Sequence, residues 1–208
     1  MNATFIRNLQ VKVHREQGGV MRFYLLRHGQ TDWNIENRLQ GRKNMPMNSN
    51  GVRQITELAD QLQKMNFQVD LIVSSPLERA KQSAEIVAEK IGFAGEIILD
   101  DDFVERSFGL AEGLVYSQEI NLNDEKYGAE TIEDVCTRAK IAIKKYMSSD
   151  EKSILIVAHG AILAATKHAL SQGELGYYDS SVPIIQGNIL CCEIRQNDKP
   201  ILYNIFSH

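Results

Sequence analysis

Two tripeptides in this chain share one layout: Arg27-His28-Gly29 and Ala158-His159-Gly160. Each places a histidine at the end of an apolar run, residues 22–27 in one case and 153–158 in the other. Each then adds a glycine that lets the backbone turn or approach a ligand closely. Imidazole can be neutral near physiological pH, so it can attack, hold or pass a proton there. A single histidine in such a place is more often a structural hydrogen-bonding group. Two in matching places, the first preceded by an arginine, point to a shared site. Arg79 follows Ser75-Pro76, a pair that reads as a helix opening with Ser as N-cap and Pro at the first helical position. Its guanidinium then lies near free helix N–H groups, an anion-binding corner, although taken alone it reads as a solvated helix charge.

The elements that must position these residues alternate between strand and helix. Residues 22–27, 70–74, 96–99 and 153–158 read as short buried strands. Residues 51–65 carry Val52, Ile55, Leu58, Ala59, Leu62 and Met65 at helical spacing. Leu77, Ala80, Ala84, Val87 and Ile91 form a second stripe that Gly92 closes. Residues 131–147 and 160–170 read as two further helices, and residues 189–195 and 201–206 as an antiparallel hairpin around Asn197-Asp198-Lys199-Pro200. This order predicts an α/β fold, a three-layer α/β/α sandwich with a mostly parallel central sheet. The least periodic internal stretch, residues 108–129, reads as a small cap insertion. Ligands of such sheets bind beyond the carboxyl ends of the strands, where both His-Gly steps fall.

Composition bounds the function. With 208 residues, 43% of them hydrophobic and a net charge of −4, the chain suits one globular domain with a substantial core. The longest apolar runs are too short to cross a bilayer, and the acidic balance argues against nucleic acid as a partner. Cys136, Cys191 and Cys192 form no CxxC or Cys/His ligand pattern, so reduced thiols in a cytoplasmic protein without a metal site are expected. Residues 1–20 lack a continuous apolar segment of the signal-peptide kind and end near Gly18-Gly19. They read as an N-terminal extension or packing arm before a domain at residues 21–208.

The sequence Leu26-Arg27-His28-Gly29-Gln30-Thr31-Asp32-Trp33-Asn34 resembles the signature of the histidine phosphatase superfamily, in the branch containing cofactor-dependent phosphoglycerate mutases. The resemblance continues in family order through Asn37-Arg38-Leu39-Gln40-Gly41, residues 74–80, Val104-Glu105-Arg106-Ser107-Phe108-Gly109 and residues 156–160. It implies a phosphoglycerate mutase-like fold in which His28 is the nucleophile and forms a phosphohistidine. Arg27, Arg79 and His159 would clamp the phosphoryl oxygens, with Asn34, Gln40, Gly41 and Gly160 completing the binding site. Glu105 would protonate the leaving oxygen and then activate water. Read from its neighbours alone, Glu105 belongs to a charged run that begins at Asp100, and such runs are usually solvated. Trp33 reads as a packing residue, and His14, His168 and His208 as surface or packing residues.

The resemblance implies a metal-independent enzyme without a cofactor, acting on a small phosphomonoester as a monomer or homodimer. A phosphatase is expected over a phosphoglycerate mutase. Mutases of the family carry a longer insertion after the acid motif, whereas residues 109–123 here contain no Lys or Arg and include Glu112 and Glu119. Arg42 and Lys43 stand where many relatives have an aromatic residue; they read as rim cations for a second anionic group or as exposed loop charges. A non-catalytic phosphoryl-binding module is disfavoured, because each core position carries the expected residue.

Overall fold

The computed structural model describes residues 19–195 and 198–206. Eighteen of the twenty residues read as an extension, together with His14, His208 and the first hairpin-loop residue Asn197, lie outside the described residues.

In chain order the main elements are β1 (Met21–Arg27), the single turn α1 (Asp32–Ile35), α2 (Ser49–Lys64), β2 (Leu71–Ser74), α3 (Glu78–Ile91) and β3 (Ile97–Leu99). They continue with α4 (Ile132–Met147), β4 (Ser153–Ala158), α5 (Gly160–Leu170), β5 (Ile189–Ile194) and β6 (Ile201–Asn204). The strands form one six-stranded sheet in the order β3-β2-β4-β1-β5-β6. β1, β2, β3 and β4 run parallel, and β5 and β6 are antiparallel, so the expected terminal hairpin is present.

Side chains alternate across a strand, and that alternation builds the two core layers. Phe23 and Leu25 of β1 and Ile154 and Ile156 of β4 face α4 and α5, meeting Val135, Ala139, Ile143, Ile162 and Leu163. Tyr24, Leu26, Leu155 and Val157 face α2 and α3, meeting Ile55, Leu58, Leu62, Ala84 and Val87. The central strands are therefore apolar on both faces, as strands covered by two helical layers must be.

Several boundaries differ from the sequence reading for identifiable reasons. α3 begins at Glu78 with Leu77 as an N-cap that makes no side-chain cap bond. Ser75 and Pro76 form the turn before it, and the Asn44 side chain accepts the Glu78 N–H at 2.7 Å instead. α2 starts earlier than expected because Asn48 is a good N-cap, accepting the Gly51 N–H at 2.8 Å. Between β3 and α4 the chain forms three 3-10 turns, at Asp101–Phe103, Gly109–Ala111 and Glu125–Tyr127. An isolated bridge between Arg38 and Val115 ties this cap to the loop after α1.

Glycine at position 29 serves close approach. A Cβ there would lie 2.5 Å from the Gly51 carbonyl oxygen, and a Cβ on Gly51 would press into the Gln30 carbonyl. The loop that leaves β1 thus rests directly on the first turn of α2. Gly51→Ala should push these backbones apart and cost about 1–3 kcal/mol, the usual range for overpacking. Urea unfolding should show the lower midpoint; an unchanged midpoint would mean the two segments do not constrain each other.

Candidate active site

β1 and β4 are adjacent and parallel, with Arg27 paired to Ala158. The two histidines therefore leave the sheet side by side, and the His28 N–H donates to the Ala158 carbonyl at 3.0 Å. Their ring centroids are 5.1 Å apart. His28 Nδ1–H donates to the Gly29 carbonyl at 2.7 Å, which leaves the ring's lone pair on Nε2. Arg79 Nε–H donates to that lone pair at 3.3 Å. Burial holds both imidazoles well below the usual histidine range, and the Arg79 and Arg27 charges push the same way. Both rings are therefore neutral at pH 7.

Arg79 is almost fully buried in the first turn of α3. Its Nη1 and Nη2 donate to the carbonyls of Lys43 at 2.7 Å and Gly41 at 2.9 Å, so the loop at residues 41–43 holds it rigidly. Burial lowers its pKa to about 10, which still leaves it charged at neutral pH. Arg27 lies beside Gly160, and its Nε has no partner. A Cβ at Gly160 would meet Arg27 only at an ordinary 3.6 Å, so close packing does not explain that glycine.

His159 is fully buried behind His28 and does not line the cleft. Its Nε2 lies 2.7 Å from Ser75 Oγ, which also accepts the Leu77 N–H at 3.3 Å. Its other ring nitrogen, Nδ1, is buried and has no partner.

Glu105 follows the Asp101–Phe103 turn and is 8% exposed, so it is not a solvated member of the charged run. Its carboxylate sits on the first turn of α5. Oε1 accepts the N–H groups of Arg106 at 2.8 Å, Ala161 at 3.1 Å and Ile162 at 3.1 Å. Oε2 accepts only from Ala161, at 3.2 Å, and is the less satisfied of the two oxygens. Asp100, at the start of the same run, is structural. It accepts from Tyr146 OH at 2.6 Å and from Lys145 Nζ at 3.0 Å.

Asn34 and Gln40 are oriented through Thr31. The Thr31 hydroxyl donates to Gln40 Oε1 at 2.9 Å, and the Thr31 N–H donates to Asn34 Oδ1 at 3.0 Å. With both amide oxygens occupied, their NH₂ groups remain as donors toward the cleft. Gln186 Nε2 completes this set, donating to the His28 carbonyl at 3.2 Å and approaching Asn34 Oδ1 at 3.4 Å. Thr31, Ser75 and Gln186 are residues that sequence reasoning missed. Gln186 lies in the irregular segment between α5 and β5, where no periodicity singles it out.

The cleft has a volume of about 270 Å³, with Arg27, His28, Arg79, Glu105 and Gly160 among its lining residues and Asn34, Gln40 and Gly41 on the same wall. Trp33, Leu39 and Phe108 also line it. Trp33 also packs against Gly113 of the cap, as a packing residue would. Arg42 and Lys43 do not line the cleft. Arg42 is drawn away by Glu130, at 3.3 Å, and the cation at the mouth is Arg38, which pairs with Glu36 and donates to the Gly113 carbonyl at 2.7 Å. His168 is remote and donates from Nδ1 to the Leu175 carbonyl at 2.8 Å, a packing role.

A tetrahedral dianion in this cleft would meet two guanidinium groups, amide donors, a neutral imidazole and a carboxyl group among the lining residues. Comparison with known proteins agrees with that chemistry. Residues 23–198 match the family model of the histidine phosphatase superfamily (branch 1). An uncharacterized phosphatase of Bacillus subtilis, PhoE, is 38% identical over 88% of this chain and 94% of its own length. Among solved structures, mycobacterial glucosyl-3-phosphoglycerate phosphatase in complex with VO3 is 25% identical, with a TM-score of 0.68 over 83% of this chain and 92% of its own. Phosphoglycerate mutase from Bacillus anthracis shares the fold, with a TM-score of 0.74 at 21% identity over 90% of this chain and 93% of its own. The sheet order, the site and these matches agree: the chain belongs to branch 1 of the histidine phosphatase superfamily.

Proposed function

We propose that this protein hydrolyses a small phosphomonoester through a phosphohistidine on Nε2 of His28, without a metal. The observation that carries the reading is the neutral His28 ring, with Nδ1–H fixed on the Gly29 carbonyl, its Nε2 lone pair facing the buried Arg79 and the Arg27 charge nearby. A phosphate dianion accepts the Arg79 Nε–H in place of the ring and frees the lone pair. Nε2 then attacks phosphorus as the P–O ester bond breaks, and Glu105 Oε2 gives its proton to the leaving oxygen. The positive charge that develops on the ring is stabilised by the Nδ1–H bond to Gly29. Arg27 and Arg79 balance the charge on the phosphoryl oxygens. In the second step water gives a proton to Glu105 and its oxygen to phosphorus. The P–N bond breaks, inorganic phosphate leaves and His28 is restored.

A phosphoglycerate mutase would use the same intermediate but must hold a second phosphate and a carboxylate. Among the described residues, the cleft offers Arg38 as the only lining cation beyond Arg27 and Arg79, and Arg38 is paired with Glu36. This favours transfer to water. The three cysteines are free thiols, which supports a cytoplasmic setting.

A panel of phosphorylated metabolites assayed in EDTA, with phosphoglycerate mutase activity followed in parallel, tests the reading. Phosphate release should exceed mutase turnover by at least about tenfold on the best substrate, and the reverse ratio would establish the mutase.

The neutral histidines also couple stability to pH. The unfolded chain takes up protons near the ordinary histidine pKa of 6.5, whereas folded His28 and His159 resist them until well below it. Stability should therefore be full above about pH 7 and fall as pH drops through 6.5, by up to about 1.4 kcal/mol per pH unit for each ring. Urea midpoints between pH 7.5 and 5.5 measure this. A flat or rising profile would mean that the rings protonate in place.

A further inference from the structure

Glu130 lies outside the cleft, just before α4, yet it is mostly buried and receives an unusual number of donors. Arg138 Nε donates to its Oε1 at 3.1 Å. Arg138 Nη2 and the Ser107 N–H donate to its Oε2 at 3.1 Å each, and Arg42 Nη2 reaches that oxygen at 3.3 Å. A bidentate arginine–carboxylate pair of this kind is strong and directional.

The partners of Glu130 converge on the segment that carries the acid. Arg138 Nη1 donates to the Asp102 carbonyl at 2.6 Å and the Val104 carbonyl at 2.8 Å. Arg42 Nε reaches the Glu105 carbonyl at 3.4 Å. Arg106 Nε donates to the Glu130 carbonyl at 2.7 Å, and the Glu130 N–H donates to the Ser107 carbonyl at 2.9 Å. Every residue from Val104 to Ser107 is thus held by Glu130 or by an arginine that Glu130 orients. The carboxyl of Glu105 is in turn fixed to Arg106 N–H and to the first turn of α5.

We infer that Glu130 is a positioning residue for the reaction, acting through Arg138 and Arg42 to hold Glu105 Oε2 where the leaving oxygen must receive its proton. The inference rests on the proposed role of Glu105 as the acid. Arg42 extends the arrangement to the phosphoryl clamp. Its side chain joins Glu130 to the Glu105 backbone, and the carbonyls on either side of it, Gly41 and Lys43, hold Arg79. Acid and clamp are thereby set at a fixed separation by one loop.

A positioning role predicts a leaving-group signature that general loss of structure does not produce. Glu130→Gln keeps the shape but removes the charge that aligns both arginines. It should lower kcat for an alkyl phosphate by about tenfold or more while changing p-nitrophenyl phosphate, which needs no acid, by less than about threefold. Glu105→Gln should show the same selectivity, more strongly. The double variant should be no slower on the alkyl ester than Glu105→Gln alone, because a group that acts through Glu105 adds nothing once Glu105 cannot donate. Arg42→Met, at a half-exposed side chain that tolerates substitution, should show the selectivity in weaker form if Glu130→Gln fails to fold. Equal losses on the two esters, or multiplicative losses in the double variant, would overturn the positioning role alone. Selectivity absent from Glu105→Gln would overturn the acid assignment and the positioning role with it.

Discussion

The site depends first on the parallel pairing of β1 with β4. Because Arg27 pairs with Ala158, the residues that follow, His28 and His159, emerge together at the carboxyl edge of the sheet. Neither strand can slip by one residue without turning its apolar side chains from one helical layer to the other, so burial on both faces fixes the register. The same register places the first turn of α5, which begins one residue after His159, within reach of the Glu105 carboxylate. Hydrophobic packing of two strands thus sets the spacing of His28, His159 and Glu105.

Electrostatics then sets their states. Two guanidinium groups lie in a poorly solvated cleft, and their charges combine with burial to keep both imidazoles neutral. The Nε–H of Arg27 is a buried donor without an acceptor. An unsatisfied donor in such a place costs stability, and a tetrahedral dianion would supply what it lacks. On the proposed function, an acidic chain with a net charge of −4 would receive its anionic substrate through this local concentration of cations.

Much of this was legible in the sequence because it follows from periodicity. Both layers of the core, the strands that end in His-Gly and the bounds of β4 and α5 came directly from apolar spacing and turn residues. The start of α3 was not legible, because Ser75 serves His159 instead of the helix and the capping acceptor, Asn44, is distant in sequence. Arg42 read as either a rim cation or an exposed loop charge for a related reason: its partner Glu130 comes from beyond the cap. Gln186 and Thr31 act through single hydrogen bonds between segments, which leave no periodic trace. For Glu105 the neighbouring charges suggested solvent exposure, and only the family motif argued otherwise. Its burial on the α5 terminus is a tertiary fact.

The central claim is that phosphorus passes through Nε2 of His28. It is tested most directly by quenching the enzyme during turnover of a labelled phosphomonoester and mapping the adduct. The account predicts an acid-labile, base-stable phosphoryl group on the peptide containing His28, formed and lost at rates compatible with kcat. Label on a hydroxyl side chain, or turnover at the wild-type rate in His28→Ala, would contradict it.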